Sequence, residues 1–178
     1  MKTHQHPTIY MCKFKGKYRL SSLRLAKWNY SSNGTYFITI CTRDRYHYFG
    51  EITNDRITLS EMGKLAQNCW ENIPQHFPYI KLDEFIIMPN HIHGILIIKK
   101  SEFNPQWASN KFGPQSRNLS SIIRGFKSSI QKYATIKKIP FAWQRSFHDH
   151  IIQNQKELNN IRRYIINNPI KWSRDRNH

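Results

Sequence analysis

Two apolar runs lie almost end to end in this chain, 80–88 (IKLDEFIIM) and 91–99, parted only by Pro89-Asn90. Runs this short and this rich in isoleucine read as strands, and a separation of two turn-forming residues predicts an adjoining antiparallel pair. Such a pair commits the chain to a sheet. Strand periodicity then sorts the second run, sending His91 and His93 to one face and Ile92 to the other.

The flanking segments predict what covers that sheet. Thr35 to Thr42 is β-branched and aromatic, as a strand with a buried face should be. After a turn-like stretch from Arg43 to Asn54, the residues Leu59, Met62, Leu65, Ala66, Cys69, Trp70 and Ile73 recur at helical spacing, which predicts one amphipathic helix over 59–77 ended by Pro74 and Pro78. Residues 101–116 are rich in Asn, Pro, Gly, Ser and Gln and read as a loop. A second helix should start at an Asn118 N-cap and bury Leu119, Ile122, Ile123, Phe126, Ile130 and Tyr133. Phe141 to Gln153 reads as a further strand. A third helix starts at Asn154, with Glu157 three residues on as in a capping box, and stops before Pro169. The order predicts an α+β fold: a ferredoxin-like β-α-β-β-α-β antiparallel sheet with helices on one face, plus a C-terminal helix that carries Tyr164. Residues 1–33 are polar, basic and aperiodic and are expected to form an arm on a single domain spanning 34–178.

Charge narrows the partners. With 28 Lys and Arg against 11 acids, the formal charge of +17 gives the surface a field that attracts polyanions, and nucleic acid comes first among them. Arg19, Arg24 and Lys27 on the arm, and Arg124 and Lys127 on the second helix, are candidate phosphate contacts, although each taken alone reads better as plain solvated charge. Aromatic residues beside basic ones, as in Lys17-Tyr18-Arg19 and Lys27-Trp28, suit stacking on unpaired bases or simple core packing. Three cysteines without a C-x-x-C spacing indicate neither a disulfide framework nor a zinc knuckle. No apolar run approaches the roughly 20 residues needed to span a bilayer, so a soluble, intracellular protein without a membrane partner is expected.

Three groups of residues carry candidate chemistry. His91 and His93, on one strand face, can grip a divalent ion, or can be ordinary hydrogen-bonding histidines. Tyr164 and Asn168 lie one helical turn apart beside a stripe of Leu158, Ile161 and Ile165; they can serve a metal-bound phosphate, or can be a packing residue and a helix-ending residue. His148 and His150 also share a strand face, with His150 a candidate for assisting the phosphate or for positioning the last helix.

Read together, these segments resemble a known family. Leu23-Arg24-Leu25 is followed by Tyr36-Phe37-Ile38-Thr39-Ile40-Cys41-Thr42, then by Phe85-Ile86-Ile87-Met88-Pro89-Asn90-His91-Ile92-His93-Gly94. Later come Trp143-Gln144-Arg145-Ser146-Phe147-His148-Asp149-His150-Ile151-Ile152 and Ile161-Arg162-Arg163-Tyr164-Ile165-Ile166-Asn167-Asn168-Pro169. In that order the motifs resemble the HUH transposases that use one tyrosine, in particular the REP-associated tyrosine transposases and their insertion-sequence relatives. The resemblance implies that 34–178 is a catalytic domain in which His91 and His93 bind a divalent metal, Mg²⁺ or Mn²⁺, and Tyr164 is the nucleophile. Asn168 takes the place of a last metal ligand that is often glutamine or histidine in the family, and Phe147 stands where some members carry a strand tyrosine. It further implies cleavage and rejoining of hairpin-forming single-stranded DNA through a 5′-phosphotyrosine, in the bacterial cytoplasm at the nucleoid, by a monomer or a homodimer. The imidazole pair alone would also accept Zn²⁺.

Overall fold

The computed structural model describes residues 11–14, 17–20, 32–100 and 117–174. Arg24, Lys27 and the expected loop at 101–116 lie outside them.

The two apolar runs form β6 (Ile80–Ile87) and β7 (His91–Ile98), paired antiparallel, and the Met88 N–H closes the turn by donating to His91 O at 2.8 Å. With β3 (Gly34–Cys41) and β8 (His148–Ile152) they make a four-stranded antiparallel sheet in the order β6-β7-β3-β8. The histidine strand is thus internal, bonded along both edges.

Alternation divides the side chains between two layers. Tyr36, Ile38 and Ile40 of β3 and Ile92, Leu96 and Ile98 of β7 join Met62, Ala66 and Trp70 of α1 (Glu61–Glu71) and Ile122, Phe126 and Ile130 of α3 (Leu119–Ile136) in the main core. On the other face, Ile95 and Ile152 meet Ile165 of α4 (Gln155–Ile166), with Phe37, Ile86, Leu158 and Ile161 around them. The third helix of the sequence reading therefore packs on the face that carries His91 and His93.

Gly94 explains how Trp70 fits. A Cβ at this position would overlap Trp70 Cζ2, so the indole lies directly on β7 backbone. Because both neighbours are fully packed, Gly94→Ala is expected to destabilise the fold by about 3 kcal/mol, the upper end of what overpacking costs. Urea unfolding monitored by tryptophan fluorescence will check this.

Several expectations need correction. The helix expected over 59–77 is two: α1, whose N-cap Ser60 accepts from Gly63 N at 3.1 Å, and the short α2 (Ile73–His76), in which Pro74 occupies the first turn instead of ending a helix. Leu59 belongs to a hairpin, β4 (Gly50–Thr53) with β5 (Arg56–Leu59), inside and just beyond the segment read as a turn. Its two linking residues, Asn54 and Asp55, have φ of 50° and 58°, the backbone of a type I′ turn, which Asn and Asp tolerate better than most residues. The strand expected over 141–153 is regular only at its end. Phe141 and Trp143 turn into the main core, and Trp143 keeps a single bridge to Thr42 while its Nε1 donates to Lys127 O at 3.0 Å.

The segment read as an aperiodic arm contains an antiparallel pair, β1 (Met11–Phe14) and β2 (Lys17–Leu20), with Arg19 in the latter. The caps of the later helices are as expected. Asn118 accepts from Ser121 N at 2.9 Å and Asn154 from Glu157 N at 2.9 Å, although the Glu157 carboxylate reaches Gln153 N, not its own cap residue. Among the described residues no helix is long and apolar enough to cross a membrane.

Candidate active site

The imidazoles of His91 and His93 lie side by side on β7, with ring centroids 4.4 Å apart, and they are 0% and 2% exposed, so their state is set by protein contacts. Asn90 orients the first. Its Nδ2 donates to Arg45 O at 3.2 Å, which turns its Oδ1 toward His91 Nδ1 at 2.8 Å. An amide oxygen only accepts, so His91 must carry its proton on Nδ1 and leave the Nε2 lone pair for another group. His93 Nδ1 meets Thr39 Oγ1 at 2.9 Å across the β3–β7 register, and its Nε2 lies 3.2 Å from the Tyr164 hydroxyl. Both Nδ1 atoms are engaged by neighbours, and His93 Nε2 faces α4.

The last helix supplies the phenol. Tyr164 is 36% exposed, so its ring is half covered while solvent and substrate can still reach it. Phe37 covers the ring edge-on at a centroid distance of 6.1 Å and also lies 5.3 Å from His93. Beyond α4 the chain continues as a 3-10 turn over Pro169–Arg174, which brings Trp172 parallel to His91 at 5.9 Å. Asn168 is buried between these two contacts: the residue four before it touches His93 and the residue four after it stacks on His91. The structure thus brings His91, His93, Tyr164 and the segment of Asn168 into one neighbourhood within a single chain.

Other candidates sit elsewhere. His150 Nε2 meets Glu157 Oε1 at 2.7 Å at the amino end of α4, about 10 Å along the helix from Tyr164 at 1.5 Å per residue. The Gln153 N–H bond and, after it, the His150 contact draw the Glu157 carboxyl below its ordinary pKa, and the latter ties α4 to β8. His148 is exposed on the same strand. Arg124 and Lys127 ride on α3, across the sheet from the imidazoles. Arg124 is exposed, whereas the Lys127 ammonium donates to Gln144 O at 2.7 Å and lies over Trp143, and burial lowers its pKa.

An ion pair fixes the height of the phenol on the sheet. Arg162, two residues before Tyr164, grips Asp83 of β6 with two bonds, Nε–Oδ1 at 2.7 Å and Nη2–Oδ2 at 2.6 Å. The guanidinium holds the Asp83 carboxyl below its usual range. A lowered native pKa means the stabilisation is complete above the ordinary aspartate value of about 3.9 and fades as pH falls through the native one. Asp83→Asn should therefore cost about 1 kcal/mol at neutral pH, a figure reduced by the partial exposure of Arg162, and the gap from wild type should close in acid. Thermal melts of both proteins between pH 2 and 7 will measure it.

Thr39, Asn90, Trp172 and Phe37 are the site residues that sequence reasoning missed. Only Asn90 had a signal, its place directly before the histidine pair. The other three are joined to the site by strand register and by the turn after α4.

Comparisons with known proteins follow the same lines. No protein-family model matches the chain. An uncharacterized protein of Haemophilus influenzae is 40% identical over 169 residues, spanning 90% of this chain and 93% of that one, so the two belong to one family. A second protein of that organism, provisionally named a REP-associated tyrosine transposase, is 27% identical over 145 residues, 80% of this chain and 74% of its own length. The chain is thus similar in sequence to a relative carrying that name. The solved structure of a REP-associated tyrosine transposase bound to a REP hairpin shares the fold, with a TM-score of 0.59 and 19% identity over 86% of this chain and 74% of that chain. The resemblance read in the sequence is thereby borne out, together with an α+β fold built on a four-stranded antiparallel sheet.

Proposed function

We propose that this chain cuts and rejoins single-stranded DNA next to a hairpin, with Tyr164 as the nucleophile and a divalent cation held by His91 and His93. The observation that carries the proposal is the 3.2 Å approach of the Tyr164 hydroxyl to His93 Nε2, with the His91 ring 4.4 Å from that of His93. A hairpin-forming substrate is favoured by the family, by the bound hairpin in the structural neighbour and by the formal charge of +17. We read the sheet and its helices as the ferredoxin-like unit of such enzymes, with α4 as the tyrosine helix.

The donor set fits a cation that keeps positions open for substrate. Among the described residues no group of three or more His, Cys, Asp or Glu side chains is arranged to hold a metal. Protein ligation would rest on two neutral imidazoles, with the Asn168 amide oxygen as a third donor, which suits Mg²⁺ or Mn²⁺ completed by phosphate oxygens and water. When bound, the ion supplies Lewis-acid polarisation of the scissile phosphate. Asn90 sets the tautomer of His91, and Asn90 and Thr39 together orient the two rings, as partners behind metal-binding histidines commonly do.

A phenol with an ordinary pKa of about 10 is mostly protonated at neutral pH. In the reaction the Tyr164 oxygen bonds to phosphorus, the bond from phosphorus to the 3′ oxygen breaks, and the phenolic proton is made up on that leaving oxygen. The products are a 5′-phosphotyrosine and a free 3′-hydroxyl. Attack by another 3′-hydroxyl reverses the step and rejoins the strand, with the bond energy conserved in the ester. His93 Nε2 cannot serve the phenol and a cation at once, so a His93 that held the ion would leave the Tyr164 hydroxyl to substrate. Because all these groups belong to one chain, a monomer carries the full set, and a homodimer is not required for the cut.

The test is direct. The protein is incubated with a 3′-labelled hairpin oligonucleotide carrying a single-stranded flank, with Mn²⁺, Mg²⁺ or EDTA, and resolved under denaturing conditions. A metal-dependent covalent adduct that mass spectrometry maps to the Tyr164 peptide is expected. Cleavage without an adduct would replace the proposal with a water-based phosphodiesterase, and binding without cleavage under any metal would leave a DNA-binding module.

A further inference from the structure

Where β3 ends, the chain turns outward at 43–45 and faces the segment 143–145 across an open cleft of about 620 Å³. Arg43, Arg45 and Arg145 line it against a single carboxylate, Asp44, with Thr42, Trp143 and Gln144 as its floor. Backbone bonds fix its two walls: Arg43 N donates to Ala142 O at 2.8 Å and Gln144 N to Cys41 O at 2.9 Å. Asp44 and Arg45 adopt φ of 56° and 58°, a left-handed conformation that costs non-glycine residues free energy and is found most often where a site needs it.

This cleft adjoins the imidazoles. Asn90 touches both, through Nδ2 to Arg45 O and through Oδ1 to His91 Nδ1, and Thr42 Oγ1 donates toward Asn90 O at 3.0 Å. Cys41, the residue before Thr42, is paired in register with His91.

We propose that the Arg43–Arg45–Arg145 cleft binds the sugar–phosphate backbone of the DNA strand that leads into the His91–His93–Tyr164 site. This rests on the DNA-cleaving function proposed above and adds a positioning surface to it. Guanidinium forks match phosphate oxygens two at a time, and a cleft open to solvent accepts a continuing chain. Contacts of this kind set the register of a strand without reading its bases. Through Asn90 the same cleft is coupled to the tautomer of His91, so a strand seated there lies one residue away from the group that prepares the imidazole.

The test uses the full-length protein and fluorescence anisotropy with a labelled hairpin oligonucleotide carrying a single-stranded flank, from 50 to 300 mM salt, in EDTA so that no cleavage intervenes. Arg43→Ala with Arg145→Ala is compared with wild type and with Lys64→Ala, which removes an exposed charge from α1 outside the cleft's lining. Expected is about tenfold weaker binding at 150 mM salt, and a salt slope shallower by about 0.7 for each phosphate no longer neutralised, with Lys64→Ala near wild type. Arg43→Lys with Arg145→Lys should recover most of the slope, and thermal melts exclude unfolding. Unchanged affinity and slope in a folded double variant, an equal weakening with Lys64→Ala, or a wild type that does not bind would overturn the proposal. Tyr164→Phe separates the two ideas: it should bind in this assay like wild type even though it forms no adduct, so a failed nucleophile leaves the cleft standing.

Discussion

Tyr164→Phe is expected to abolish the covalent protein–DNA adduct and to lower strand cleavage by a factor on the order of 10⁴ or more, the scale seen when an enzyme loses its nucleophile. The substitution removes one oxygen and leaves the ring, so packing against Phe37 and His93 should persist and stability should change little. DNA affinity should also hold, since a half-exposed phenol adds little to a surface carrying this much positive charge. The denaturing-gel assay with Mn²⁺ measures the effect. An adduct that survives in Tyr164→Phe would move the nucleophile elsewhere in the chain.

The second large effect is expected from the imidazoles. Replacing both with glutamine, His91→Gln with His93→Gln, keeps polar side chains of similar length in a site that excludes solvent, and so limits collapse of the buried face. Cleavage should fall by a factor on the order of 10² to 10³ or more through loss of Lewis-acid help. The readout that separates this from a structural fault is metal itself. Wild type should bind Mn²⁺ in calorimetry or by paramagnetic broadening of the histidine resonances, and the double variant should not, at a melting temperature close to wild type. Broadening in wild type should also spread to Tyr164, whose ring lies 5.2 Å from that of His93.

Much of this architecture could be read from the sequence because local chemistry and global packing agree. The turn Pro89-Asn90, the caps Asn118 and Asn154, and the stripe Leu158, Ile161 and Ile165 each act within a few residues, where spacing is informative. The hairpin at Asn54-Asp55 was hidden because its turn lacks the glycine that usually marks a type I′ loop, and the helix over 59–77 was over-extended because the apolar spacing runs straight through the break at Asn72. Irregular structure at 141–147 follows from where two large aromatic rings fit, a property of the assembled core that no alternation pattern records. At the site, the paired histidines and Tyr164 were legible as types at suggestive spacings. Thr39 and Trp172 were not, since one reaches His93 through strand register and the other reaches His91 by a turn beyond the helix.

The two halves of the site are anchored unequally. Moving the strand that bears His91 and His93 would unzip hydrogen-bonded ladders on both of its sides and lift Trp70 off Gly94. The helix that bears Tyr164 rests on one compact apolar patch, the Asp83–Arg162 clasp and the Glu157–His150 contact at its start. Under the proposed function, a rearrangement that carries a tethered strand from one joining partner to the next would therefore follow the cheaper path: the arm holding the cargo swings, and the anvil beneath it stays put.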